Sequence, residues 1–388
     1  MKRNIFLIRG FFFVFFSAWS FIFSFIPVYL RDKGFSIGEI GIFASISSLV
    51  GALTQIFIGY FSDKTGKRKP FIILGLLGLA FIYFFIFPKI NSFWGFLFLY
   101  PLIGVFINSV ITSSNVLVID LSLEEKIGKD YASTRIWGSI GFFILTTIIG
   151  IFPILTRPQY MFPSISLIYL LGLILILFIK EPKLKVGIKA LSLRDIKDII
   201  FLPKIRNFLL FYFFYFTSLV GASSNVNLLI KYLGGTNQII SFAYSASSAS
   251  EIPFMILWGN LSDKIGRRPI LLFSSFILPI RIFLYSIIKN PFYTIPIQLM
   301  HSLTFAIIGT IPVVYINDLV PPEKRATAQG ILSMISALSS TFGPLLSGIT
   351  ADILGISGMY LFLTFISGIS TLIGIISLKE SKTNTFLV

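Results

Sequence analysis

The chain has 388 residues, 55% of them hydrophobic and only 12% charged, with a formal net charge of +16 and no cysteine. A soluble domain carries about a quarter charged residues, so a chain this apolar is not a water-soluble globule. Without cysteine there is no disulfide framework, no thiolate nucleophile and no zinc–thiolate site.

Apolar segments fall at about 5–30, 36–61, 70–88, 92–119, 132–155 and 160–179. After a polar stretch they resume at about 206–230, 237–261, 270–288, 292–317, 327–350 and 356–378. Each is near or above the roughly 20 residues of a helical bilayer crossing. The alternating pattern of a membrane barrel is missing. The expectation is an all-α membrane protein of twelve transmembrane helices in two six-helix halves. The first run, behind Met1, Lys2 and Arg3, reaches to about Tyr29, longer than a signal-peptide core and with no small-residue cleavage site. It reads as the first membrane helix. The implied domains are 1–180, a six-helix bundle; 181–205, a cytoplasmic loop; and 206–388, a second bundle. Within the loop, 191–202 (LSLRDIKDIIFL) has the amphipathic pattern of a helix lying on the membrane surface.

Lysine and arginine sort by loop. The termini and even-numbered loops hold 24 of them and the odd-numbered loops hold 6. The excess marks the cytoplasmic side, so both termini are expected there, in a multi-pass protein of the cytoplasmic membrane. The positive net charge then reflects an anionic inner leaflet rather than a nucleic-acid partner.

One loop occurs twice, 200 positions apart: 59–70 (GYFSDKTGKRKP) and 259–270 (GNLSDKIGRRPI). At matching offsets stand Gly59 and Gly259, Ser62 and Ser262, Asp63 and Asp263, Lys64 and Lys264, Gly66 and Gly266, Arg68 and Arg268. A duplicated loop half a chain apart signals a duplicated bundle, as in transporters. Gly59 and Gly259 are read as points of close helix approach, and Gly66 and Gly266 as tight turns. Asp63 and Asp263 can accept from helix N-terminal N–H groups or pair with nearby Arg and Lys, contacts that would open and close a cytoplasmic gate.

Few ionisable residues remain inside the spans: Arg135, Glu251, Arg281 and His301, with Asp120 and Asp318 near cytoplasmic helix ends. An intramembrane charge is costly unless paired or hydrated and so marks a pathway. Arg9 and Asp352, near span ends, read as snorkelling side chains. Glu251, in SASEIPF before Pro253, is the best proton carrier: desolvation favours its neutral form and Arg281 its ionised form. A purely structural Glu251–Arg281 ion pair is the alternative. His301 is the single histidine, one turn after Gln298. Asn108, Asn115, Gln55, Asn225, Asn227 and Gln298 could line a cavity or tie helices together. Asn225 and Asn227 could face one way only if the helix unwinds after Gly221.

The duplicated loop is the signature loop of the major facilitator superfamily, which the chain resembles over its whole length. The resemblance implies two pseudo-twofold bundles, a central cavity and rocking alternating access. More narrowly, YASTRIWGSIGFF, with Arg135, resembles the oligosaccharide–proton symporter branch, that of lactose permease and the phenylpropionate-type permeases. RIFLYS with Arg281, QLMHSLTF with His301 and VPPEKRATAQGIL resemble the same branch. The resemblance makes Arg135 a substrate-binding candidate, with Phe142 as a ring against which a sugar or aromatic substrate could stack. Asp120 could replace the branch's acid of span 4. Where lactose permease has an acid one turn after its histidine, this chain has Thr304.

The expected function is a secondary active transporter of a small organic solute (sugar, nucleoside or aromatic acid) by proton symport, acting as a monomer. Substrate binding falls to Arg135, Phe142, Asn115, Asn225, Gln298 and His301, and proton coupling to Glu251, Arg281, His301 and Asp120. A drug-efflux antiporter is the alternative, and the Gly343–Pro344 pair in span 11 keeps it open. An enzyme is not expected, nor a metal or cofactor: HExxH, paired intramembrane aspartates and a nucleotide-binding glycine loop are all missing.

Overall fold

A computed structural model describes residues 2–121, 127–181, 199–321 and 324–381. Residues 191–198 of the amphipathic piece at 191–202, and most of the central loop, lie outside the described residues. The described elements are helical. In chain order they are α1 (Lys2–Ser17), α2 (Trp19–Asp32), α3 (Ile37–Thr65), α4 (Lys69–Phe81), α5 (Phe93–Leu121), α6 (Ile127–Ile151) and α7 (Pro158–Phe178). Then come α8 (Pro203–Ser223), α9 (Val226–Tyr232), α10 (Asn237–Ile265), α11 (Arg267–Ile287), α12 (Thr294–Leu299), α13 (His301–Ile308), α14 (Ile311–Asp318) and α15 (Arg325–Ser377).

Among the described residues nine helices are long and apolar enough to cross a membrane, ten if the segments Pro291–Leu299 and His301–Asp318, bent by 47°, form one span. As one straight rod the 53 residues of α15 would extend about 80 Å at 1.5 Å per residue, over twice the bilayer core. Gly355 breaks it, at φ 72° and ψ 172°. Dividing α15 there and adding α10, of equal span length but serine-rich, accounts for the twelve segments of the sequence.

The chain divides into two compact units. Unit 1 is 1–35, 42–189 and 235–248; unit 2 is 36–41, 190–234 and 249–388. In unit 1, α1 lies against α6 and α7, and α4 against α5 and α7. Unit 2 repeats the pattern: α8 packs on α15, and α11 on α15 and α13. The units are not simple halves of the chain, because the first residues of α3 belong to unit 2 and the first of α10 to unit 1.

The reason for the first exchange is visible in unit 2. Ser36 and Glu39 form a reciprocal capping box at the start of α3: Glu39 N–H donates to Ser36 Oγ, and Ser36 N–H donates to Glu39 Oε2. Asp352 joins that cap, accepting from Ser36 Oγ at 2.6 Å and from Gly38 N–H at 3.0 Å. Asp352 is therefore a helix-capping anion in a built contact, which corrects the snorkelling reading. The backbones close in behind it. A Cβ on Gly41 would lie 2.4 Å from Pro344 O, and one on Gly348 would lie 2.8 Å from Ile37 O. In unit 1 the start of α10 is held by neutral groups instead: Asn237 Nδ2 donates to Thr156 Oγ1 at 2.6 Å, and Thr147 and Ser245 hydroxyls lie 3.0 Å apart.

Gly59 and Gly259 behave otherwise. Nothing comes within 4 Å of a Cβ built at either. The close-approach reading of those two glycines is therefore wrong, whereas Gly41 and Gly348, outside the motif, do meet a neighbouring backbone. Thermal unfolding of the purified protein separates the cases. Gly41→Ala forces backbone apart and should cost about 1–3 kcal/mol, seen as a clear fall in midpoint. Gly59→Ala should leave the midpoint unchanged or raise it slightly.

Candidate functional site

The first motif copy is organised around one guanidinium. Arg68 is 6% exposed. It pairs with Asp63 at 2.8 Å and Asp120 at 3.0 Å, and its Nη1 donates to Ser62 Oγ at 2.6 Å. The start of α4 adds a third carboxylate: the Arg68 and Lys69 N–H groups both donate to Glu181 Oε1. A carboxylate there meets the positive end of a helix and satisfies donors that have no intrahelical partner.

The second copy rebuilds this cluster around Arg267, which is 3% exposed. It pairs with Asp263 at 2.6 Å and Asp318 at 3.4 Å, and donates to Ser262 Oγ at 2.7 Å. Glu380 accepts from the N–H groups of Arg267 at 2.9 Å and Arg268 at 3.2 Å. Arg268 itself reaches the Leu378 carbonyl, as Lys69 reaches the Ile179 carbonyl. Equal sequence offsets matched Arg68 with Arg268; the structural match is Arg267. The first loop has one more residue between its glycine and its proline, so the copies slip by one after Gly66 and Gly266. Gly66 (φ 63°) and Gly266 (φ 95°) both turn through the left-handed region. Asp120, a proton-coupling candidate by sequence, is tied into this cluster through Arg68.

Sequence reasoning missed Glu181 and Glu380, although the signal exists. IKEPK and LKESK, at 179–183 and 378–382, place a glutamate 113 residues after Arg68 and after Arg267.

Unit 2 also encloses the buried polar group. Arg281, 2% exposed, donates to Gln298 Oε1 at 2.6 Å and Thr304 Oγ1 at 2.8 Å. Its Nη1 lies 3.2 Å from His301 Nδ1. Tyr285 OH donates to the same Gln298 oxygen at 3.1 Å. On the other side of the imidazole, Nε2 lies 3.7 Å from Glu251 Oε2. A guanidinium can only donate, so His301 Nδ1 must accept and the neutral ring carries its proton on Nε2, facing Glu251. His301 thus stands between Glu251 and Arg281, where the sequence suggested a direct pair. It is the first residue of α13, immediately after the 47° bend. That bend, unforeseen in an apolar run, aims the ring inward.

The remaining candidates divide. Arg135 is exposed, with its Cζ 4.3 Å from the Phe16 ring centroid. Asn115 is half-buried and makes no hydrogen bond among the described residues. Phe142 is half-buried, 6.5 Å from Tyr244 ring to ring. Asn225 sits where the helix unwinds between α8 and α9, and its amide donates to Gly221 O, Ser224 Oγ and Ser347 Oγ. Its donors are committed to helix ties, the second of the two readings the sequence offered for it. Gln298 orients Arg281. Among the described residues no group of three His, Cys, Asp or Glu could hold a metal ion.

The slipped register has a measurable consequence. Arg267→Ala leaves Asp263, Asp318 and Ser262 without their shared donor and should destabilise by about 3 kcal/mol. Arg268→Ala removes one carbonyl contact and should cost about 1 kcal/mol or less. Denaturation of the two purified variants side by side would show the order reversed if equal offsets were the true match.

Comparison with known proteins agrees with this geometry. The family model described as "MFS_1 like family" matches residues 5–363. The maltose permease of Geobacillus stearothermophilus is 25% identical over 377 residues, covering 96% of this chain and 94% of the permease. The multi-drug resistance efflux pump PmrA of Streptococcus pneumoniae is 28% identical over 159 residues, 39% of each chain. Among solved structures, a point mutant of the nucleoside transporter NupG superposes with a TM-score of 0.84 at 15% identity, over 97% of this chain and 100% of that one. A D-xylose–proton symporter does so with a TM-score of 0.75 at 15% identity, over 98% of each. With the duplicated motif clusters, the all-helical units and a family match over nearly the whole length, the chain is a multi-pass membrane transporter that belongs to the major facilitator superfamily.

Proposed function

We propose that the chain is a proton-coupled symporter that carries a small organic solute across the cytoplasmic membrane by alternating access. It works as a monomer, with both termini and both motif loops on the cytoplasmic side. The single observation that carries this reading is the Glu251–His301–Arg281 row buried in unit 2. Its equivalents in unit 1, allowing for the one-residue slip after the motif glycine, are apolar or glycine: Gly51, Ile82 and Leu102. A polar row on one side of a duplicated fold has no role in the shared architecture, and marks where this transporter departs from symmetry for its chemistry.

The row can hold a proton without exposing a bare charge. With Glu251 ionised, the carboxylate faces the Nε2–H of His301, whose other nitrogen leans on Arg281. A proton that arrives has no place on Nδ1 while Arg281 donates there, so it goes to a Glu251 oxygen. The neutral carboxylic acid then releases the ring, and Arg281 keeps Gln298 and Thr304 as acceptors. The two states differ by one proton and small side-chain shifts, which suits a carrier that reorients with and without its load. The maltose permease likeness supports uptake of a polar organic solute. Similarity to PmrA over part of the chain supports the reverse direction, proton-driven export, as the second reading.

Glu251→Gln fixes the neutral state. In proteoliposomes this variant should keep substrate exchange near the wild-type rate and lose uphill accumulation. For one proton per solute, about one pH unit across the membrane sustains about tenfold accumulation. Accumulation by the variant at the wild-type level would remove Glu251 from the coupling. Medium alkalinisation on solute addition marks symport, and acidification marks export.

A further inference from the structure

We propose that Gln298 is a substrate contact whose amide NH2, locked in place by Arg281 and Tyr285, donates to a hydroxyl or carbonyl oxygen of a neutral solute. The inference rests on the transport reading above and names the chemistry of its substrate.

The amide is held by one end only. Arg281 Nη2 donates to Gln298 Oε1 at 2.6 Å, and Tyr285 OH donates to the same oxygen at 3.1 Å. A guanidinium cannot accept, so the shared atom is the carbonyl oxygen and the other end of the amide is the nitrogen. Among the described residues nothing accepts from that Nε2. The residues of unit 2 outside the description, 190–198, 322–323 and 382–388, belong to even-numbered loops and the C-terminus, whereas Gln298 follows the odd-numbered loop before α12. Two donors are therefore unmet on a side chain that is 2% exposed. Native interiors leave few such groups, because a buried donor without an acceptor is costly. Nor is this nitrogen sealed off. Arg281 Nε is both enclosed and unpartnered; Gln298 Nε2 is unpartnered but not enclosed, so the small opening at Gln298 includes its nitrogen.

The donor is also aimed in advance. Two hydrogen bonds on its oxygen fix a flexible side chain before any ligand arrives, and Tyr285 is itself buried, 5.2 Å ring to ring from Tyr360. A pre-oriented group gives up little rotamer freedom on binding. Gln298 lies on α12 and His301 opens α13, so the amide and the titratable row share the 47° bend of span 10.

What the site offers decides what it takes. The Nη donors of Arg281 are spent on Gln298, Thr304 and His301, and its Nε–H is enclosed. No guanidinium fork remains to grip a carboxylate. The open group is a neutral amide, which matches a neutral acceptor: a sugar or nucleoside hydroxyl, or a nucleobase carbonyl. The amide also links solute to proton. Its nitrogen and oxygen are conjugated, so an acceptor on Nε2 makes Oε1 a stronger acceptor and draws Arg281 toward Gln298. Arg281 is the residue that leans on His301 Nδ1.

The test uses the full-length protein in phosphatidylcholine nanodiscs, with affinity read by titration calorimetry and folding by thermal midpoint. The probes are maltose, uridine and the anion 4-hydroxyphenylacetate. Gln298→Glu keeps oxygens for Arg281 and Tyr285 and removes the NH2. Wild type should bind maltose or uridine, and Gln298→Glu should bind the same probe about tenfold more weakly with its midpoint at or above the wild-type value. Analogues of the bound probe that each lack one oxygen locate the contact. One of them should lose about tenfold in wild type and nothing further in Gln298→Glu. Gln298→Met, which has neither donor nor acceptor, should show the same lost discrimination and serves if the glutamate variant does not fold. Tyr285→Phe should cost about threefold, since it loosens the amide and leaves its donors. Wild-type affinity in Gln298→Glu overturns the proposal, as does an analogue series whose every penalty persists in the variants, or binding of the anion alone. Proton movement is followed separately in proteoliposomes. The expected binding pattern without proton movement would sink symport and leave Gln298 as the contact.

Discussion

Every arginine that this chain brings to the membrane region needs its donors and its charge met, and how each is met organises the structure. A guanidinium offers five N–H donors in a fixed plane and stays charged under all conditions. Arg68 and Arg267 are met by side-chain carboxylates, a serine and, at the adjoining helix start, a glutamate. Those contacts gather the ends of α3, α4, α5 and α7 in unit 1, and of α10, α11, α14 and α15 in unit 2. Arg281 is met by neutral acceptors at its two Nη groups while its buried Nε–H has none among the described residues, and no carboxylate takes up its charge directly. The same requirement therefore yields a fastening where acids are supplied and a titratable row where they are withheld.

The duplicated fold makes that contrast legible. Both units carry the fastening, down to carbonyl contacts from Lys69 and Arg268 at equal spacing. The titratable row occurs in unit 2, and an arginine stacked on a phenylalanine, Arg135 on Phe16, in unit 1. Duplication supplies the scaffold twice, and divergence gives the two copies different chemistry.

The all-helical class, the span positions and the duplicated motif were readable in the sequence because lipid imposes long apolar helices and positive loops. Composition alone carries that information. Glu251, Arg281, His301 and Gln298 could be named for the same reason: polar residues inside apolar runs stand out. Their order in space could not. The Glu251–His301–Arg281 arrangement depends on the bend before His301, and QLMHSLTF contains neither glycine nor proline to announce it. The equal spacing of the motif copies hid a one-residue slip, since GKRKP and GRRP both place an arginine two residues after the glycine. Asn225 stayed open between cavity lining and a helix tie because a free amide and a committed one are written with the same letter.

The helix breaks close the argument. In hydrocarbon, backbone N–H and C=O groups released by a break have no water to meet them, so breaks persist where protein or a wet cavity can meet them. Spans 7 and 10 are interrupted at Ser224–Asn225, and at Met300 and Gly309–Thr310. Each interruption borders a polar group already in view: Asn225 with Ser347 at the first, His301 at the second. At Asn225 the side chain itself meets the freed Gly221 carbonyl, and the break is a finished structural joint. At His301 the bend sets a ring nitrogen 3.7 Å from the Glu251 carboxylate. One break is thus closed by its own side chain, and the other carries the residue that the proposed proton site depends on.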